Sequence, residues 1–225
     1  MNAIDRSSPN FSDRPADIVI DMVVLHYTGM KSARAALERM CDSSAAVSAH
    51  YMVGEDGAVW RLVGEEKRAW HAGVSYWAGA TNINDRSIGI EIVNPGHEFG
   101  YCPFPEIQMR SVEELLAQIL DRHSILASRV VGHSDIAPSR KQDPGELFDW
   151  QRLAARGVSI WPSAVSAAIE ARKAPALLAE IGYDPGAPLD DIVTAFQRRF
   201  APDGVTGSLD GKTLALIAAV FAINS

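Results

Sequence analysis

The sequence predicts an α/β fold, with a mixed central β-sheet flanked by helices and a smaller helical unit behind it. Three observations point there. Short aliphatic, β-branched runs alternate with helical stretches as far as Trp161. A hairpin signal lies among them, so parallel and antiparallel pairing are both expected. After Trp161-Pro162 the strand pattern stops, and Ala- and Leu-rich segments broken by Asp184-Pro185-Gly186, Pro202-Asp203-Gly204 and Asp210-Gly211 read as two or three short helices. The expected division is residues 1–164 and residues 165–225.

Each element has its own warrant. Ile18–Leu25 is aliphatic apart from Asp21 and suits a buried strand. Lys31–Met40 carries Ala, Leu, Arg and Glu and reads as a helix. Tyr51–Val53 and Val59–Val63 flank Gly54-Glu55-Asp56-Gly57, the hairpin. Ser87–Val93 is a strand whose residues Gly89, Glu91 and Val93 share one face. Ser111-Val112-Glu113-Glu114 reads as a capping box opening a helix with Val112, Leu115, Leu116, Ile119 and Leu120 on one side. Arg129–Val131 is a short strand running into Gly132-His133.

Bulk properties exclude several classes. The chain has 225 residues, 47% hydrophobic and 22% charged, which is ordinary for a globular protein and unlike a disordered one. A net charge of −7 lacks the basic field of a nucleic-acid binder. The longest apolar run, Thr213–Ile223, is about half of what a membrane span needs. Cys41 and Cys102 can form neither a disulfide framework nor a cysteine zinc site. The N-terminus has no basic start with an apolar core, so a cytoplasmic address is expected, with a periplasmic or wall-associated one as the alternative. A monomer is expected.

Six histidines are present, and most isolated histidines are packed or surface residues. Two stand out. His26 and His133 each follow a strand, where α/β sheets hold ligands rigidly at a crevice. Asp143, ten residues beyond His133 and kept extended by Pro144, is a third candidate, with Lys141 on the same side. Two histidines and a carboxylate make a catalytic-type zinc set that leaves a fourth position open. Glu91, a carboxylate within an apolar strand, must be paired or used; a structural ion pair and a catalytic role both fit. His50 reads as structural, and His97 and His123 as loop and helix-face residues.

The segments LHYT, SAHYMVGEDG, RAWHAG, NDRSIGIEIVN and GHSDIAPSRKQDPG occur in this order. Together they resemble the zinc-dependent N-acetylmuramoyl-L-alanine amidases related to peptidoglycan recognition proteins, which include the 1,6-anhydro-muramoyl amidases. The resemblance spans about Ile18 to Pro162 and implies the amidase fold of that family. It implies one zinc ion per chain on His26, His133 and Asp143, Glu91 as catalytic acid/base, and Lys141 as its assistant. It also implies cleavage of the amide between the lactyl group of N-acetylmuramic acid, or its 1,6-anhydro form, and L-alanine in peptidoglycan or muropeptides. Trp70, His71 and Arg86 are then candidate substrate contacts. A packed loop is the other reading for the first two, and a salt bridge for Arg86. Ala195-Phe196-Gln197-Arg198-Arg199-Phe200 with Asp203-Gly204-Val205-Thr206-Gly207 and Lys212-Thr213 resembles a small all-α three-helix peptidoglycan-binding domain. A non-catalytic peptidoglycan receptor and a phage-type lytic amidase are the alternatives; the full set of five polar residues favours an enzyme over a receptor.

Overall fold

The structure is a computed structural model that describes residues 3–164 and 167–224. Its centre is a six-stranded mixed sheet. In chain order the strands are β1 (Ile4–Asp5), β2 (Met22–Tyr27), β3 (Tyr51–Val53), β4 (Val59–Arg61), β5 (Ser87–Ile92) and β6 (Val130–Gly132). Their spatial order is β1-β4-β3-β5-β2-β6. The β3–β4 hairpin is antiparallel, while β2 is parallel to both β5 and β6. The expected hairpin is present; Gly57 takes φ +80°, the left-handed region a glycine enters without strain.

Alternation along β2 separates two cores. Val23 and Leu25, with Ile88, Ile90 and Ile92, pack against helix α2 (Glu106–His123) through Met109, Val112, Leu116 and Ile119. Met22 and Val24 face the other way. They join Trp77, Ile136 and the apolar sides of α3 (Ala174–Ile181), α4 (Leu189–Phe200) and α5 (Gly211–Asn224) in one continuous cluster. Helix α1 (Ala33–Met40), capped by Ser32, covers a third cluster built on Met52 and Leu62. The expected boundary at 164/165 falls at Val165 and Ser166, outside the described residues.

Two expectations are corrected. The strand expected at Ile18–Leu25 begins at Met22, because Asp21 stops at the sheet's end in ion pairs with Arg86 and Arg129, leaving Ile18 and Val19 exposed. It extends to Tyr27, so His26 lies inside the strand. The long helix starts at Glu106, where the Pro105 carbonyl accepts the first helical bond from Met109 at 3.0 Å. Ser111 is therefore no cap; its hydroxyl donates to the Gly57 carbonyl at 2.8 Å.

Candidate active site

Parallel pairing brings the chemistry together. Within the ladder His26 lies opposite Glu91, and Gly132 lies opposite Leu25, so His133 emerges beside His26 at the carboxyl ends of adjacent strands. A cleft of about 390 Å³ opens there, lined among others by His26, Glu91, His133, Lys141, Asp143 and Arg140. A larger cavity of about 710 Å³ near Tyr51, Glu65 and Arg122 shares no residue with it.

His26 Nδ1, His133 Nδ1 and Asp143 Oδ2 form a triangle with sides of 2.9, 3.1 and 3.0 Å. All three residues are buried. A triangle of that size has a circumradius of about 1.7 Å, shorter than the ~2.0–2.2 Å of zinc–nitrogen and zinc–oxygen bonds, so one ion can reach all three atoms equally. The donor set therefore fits a metal ion. Each ring is held from behind: His133 Nε2 lies 3.1 Å from the Ala72 carbonyl, and His26 Nε2 lies 3.1 Å from His71 Nδ1. Partners of this kind orient ligating imidazoles.

The electrostatics match. Burial, with His133 as a neighbour, pushes His26 down to about 4, which keeps the ring neutral. Burial opposes ionisation of Asp143, but His133 and His26 outweigh it and hold that carboxyl far below its usual range. Glu91 is raised well above an ordinary carboxyl by burial and by Asp143. Its Oε2 is buried with no hydrogen-bond partner among the described residues. A structural ion pair, the other reading of Glu91, is not what the structure shows. A half-buried carboxyl with one oxygen sealed off and unpaired, facing a polar cleft, is poised to exchange a proton.

Of the three candidate substrate contacts, the structure brings one to the site. His71 lines the cleft, 7% exposed, with its ring edge-on to His26 at 5.1 Å. Trp70 does not line the cleft; its indole N–H donates to Ser12 Oγ at 3.3 Å. Arg86 lies at the opposite ends of the strands, where its Nε donates to Asp21 at 2.8 Å. Arg140 escaped the sequence reading: its guanidinium donates to the Ala72 and Val74 carbonyls at 2.8 and 2.7 Å and tightens the turn behind His133. Nothing local marks it, since its partners are backbone atoms more than sixty residues away.

Residues 15–146 match the family model described as N-acetylmuramoyl-L-alanine amidase. The chain is 36% identical to N-acetylmuramoyl-L-alanine amidase AmiD of Escherichia coli (strain K12), over 89% of this chain and 82% of that protein. It is 34% identical to 1,6-anhydro-N-acetylmuramyl-L-alanine amidase AmpD of Haemophilus influenzae, over 64% of this chain and 86% of that one. Among solved structures it resembles E. coli AmiD in complex with anhydro-N-acetylmuramic acid-L-Ala-D-gamma-Glu-L-Lys, with a TM-score of 0.82, 32% identity and coverage of 95% and 98% of the two chains. It also resembles AmpDh3 of Pseudomonas aeruginosa in complex with anhydromuramic pentapeptide, with a TM-score of 0.82, 30% identity and 97% of both chains covered.

Proposed function

The chain belongs to the N-acetylmuramoyl-L-alanine amidase family, and from that premise we propose how its own residues perform the hydrolysis. The enzyme cleaves the amide between the lactyl group of N-acetylmuramic acid and L-alanine. The observation that carries the reading of the site is the buried triangle of His26, His133 and Asp143 beside an unpaired Glu91. His26, His133 and Asp143 hold zinc. When bound, zinc supplies Lewis-acid polarisation of the amide carbonyl and brings the pKa of water toward ~7.

Every other step belongs to side chains. Glu91, whose carboxyl lines the cleft, accepts the proton of the attacking water and returns it to the leaving L-alanine nitrogen. Its raised affinity for a proton, caused by burial, suits the second half of that task. Lys141, in the same cleft, stabilises the tetrahedral oxyanion, a contribution of about 3–4 kcal/mol for one such donor. The ligands found with AmiD and AmpDh3 support anhydro-muropeptides as substrates here too. The helical segment after residue 165 is read as the peptidoglycan-binding part.

Two variants test the assignment. Glu91→Ala is expected to retain zinc and lose about 10²–10⁴-fold in turnover of anhydro-muropeptides, read by mass spectrometry of the released peptide. His133→Ala is expected to lose the metal and, with it, stability, because metal-binding energy is also folding energy. Near-normal turnover in the first, or full zinc content in the second, would overturn the corresponding role. Digestion of whole sacculi beside soluble anhydro-muropeptides distinguishes polymer from fragment as the preferred substrate.

A further inference from the structure

A chain of hydrogen bonds runs from the backbone to the metal-facing atom of His26, and its direction is fixed at the far end. Ser87 is fully buried, and its hydroxyl lies 2.7 Å from the Ile83 carbonyl, which can only accept. The single hydroxyl proton is therefore spent there. Ser87 Oγ is left as the acceptor for His71 Nε2, 3.3 Å away, so the His71 proton sits on Nε2. His71 Nδ1 is then bare and accepts from His26 Nε2 at 3.1 Å. With the His26 proton on Nε2, Nδ1 keeps its lone pair, directed at His133 and Asp143.

We infer that Ser87 is a positioning residue that, through His71, sets the His26 tautomer in which Nδ1 is free to bind the metal. The inference rests on the metal site proposed above. It turns His71 from a candidate substrate contact into part of the support behind a ligand. A second observation agrees. A Cβ on Gly89 would lie 2.4 Å from His71 Cγ, so the strand leaves out a side chain where this ring must sit. Ser87, Gly89 and Glu91 follow one another on one face of β5: one orients the ring, one admits it, one does the acid/base work. Were the Ser87 proton given to His71 instead, every bond would reverse. His26 would then carry its proton on Nδ1, facing Asp143, and the metal would have to displace it.

The test measures zinc affinity by chelator competition, thermal unfolding with and without zinc, and imidazole ¹⁵N signals of the metal-free protein. Ser87→Ala is expected to weaken zinc binding roughly tenfold, and His71→Leu toward 100-fold. His71→Asn, whose side-chain oxygen replaces Nδ1 as acceptor, is expected to bind zinc more tightly than His71→Leu. The wild-type spectrum should show His26 as the Nε2–H tautomer, and Ser87→Ala a mixture. Unchanged zinc affinity in Ser87→Ala and His71→Leu overturns the inference, as does a wild-type Nδ1–H tautomer. Equal destabilisation with and without zinc at unchanged affinity means a purely structural role and overturns it too. If His71→Leu does not fold, Ser87→Ala and the spectra decide. A wild-type chain that binds no zinc overturns the metal reading itself, whereas zinc binding with an unaffected Ser87→Ala overturns this inference alone.

Discussion

His50 lies behind the site and is fully buried. The Gly89 N–H donates to its Nδ1 at 2.9 Å, so the ring proton is on Nε2, 3.1 Å from the Lys67 carbonyl. Burial, then the nearby Arg14 guanidinium, pushes its pKa down to about 3. The unfolded chain takes up a proton near pH 6.5 that the folded chain refuses until about pH 3. Stability from this residue is therefore complete above pH 6.5 and erodes as pH falls from there toward 3. Urea denaturation is expected to show a loss of about 2 kcal/mol between pH 7 and pH 5 from this group. His50→Asn, which keeps an acceptor for Gly89, should show a correspondingly smaller loss; an identical pH dependence would refute the assignment. At this scale His133 and Asp143 were legible in the sequence because a strand end and a following proline constrain them locally, and His26 was singled out although it lies one residue inside its strand and not after it. For Arg86 the sequence left a substrate contact and a salt bridge open: its partner Asp21 is 65 residues away, and only the sheet register reveals that the two meet at the end of the strands opposite His26 and Glu91.

The strand Ser87–Ile92 shows how one element serves two masters. Its even-numbered residues Ile88, Ile90 and Ile92 fill the core beneath α2, and its odd-numbered ones build the site. The alternation was readable from SIGIEIV, and so was the oddity of Glu91. The need for Gly89 was not, because the ring it accommodates comes from residue 71. That ring also lies against His26 and His50, at centroid distances of 5.1 and 5.7 Å, and has little room to yield. Gly89→Ala is expected to cost about 1–3 kcal/mol in urea denaturation, as overpacking does, and to weaken zinc binding in the same sample. A neutral effect on both would show that His71 moves freely. In α2 the apolar face was legible, whereas its start was not. A serine–glutamate pair mimics a cap, and Pro105 six residues before Ser111 marks the true one.

Across the whole molecule, the C-terminal helices are tied to the sheet by more than apolar packing. Asp135, two residues past His133, accepts from Arg199 at 3.0 Å, from the Tyr183 hydroxyl at 2.8 Å and from the Gly132 N–H at 2.8 Å. Arg199 and Asp135 are 3% and 1% exposed, so breaking the pair leaves a buried charge without its partner. Arg199→Met is expected to cost about 3–5 kcal/mol in urea denaturation. A loss below 1 kcal/mol would mean that Asp135 is neutral in the fold or satisfied without Arg199. Composition alone suggested a division near residue 165, and among the described residues beyond it three α-helices follow. It could not reveal the shared core, because contacts between Met22 or Val24 and helices beyond residue 174 leave no mark on local pattern.

Because His26, His133 and Asp143 come from β2, the end of β6 and the turn at Asp143, with Glu91 on the strand between β2 and β3, no short stretch of chain could hold an ion by itself. Assembly has an order. A nascent chain acquires a metal-binding geometry only after residue 143 has been made and the long-range parallel pairs have closed, a slow kind of contact to form. An ion bound at the proposed site would be a lock fitted at the end, not a template that guides the chain. Stopped-flow refolding is accordingly expected to run at the same rate with or without zinc, while unfolding slows when zinc is present. Zinc-accelerated refolding would place the site's formation before the rate-limiting step.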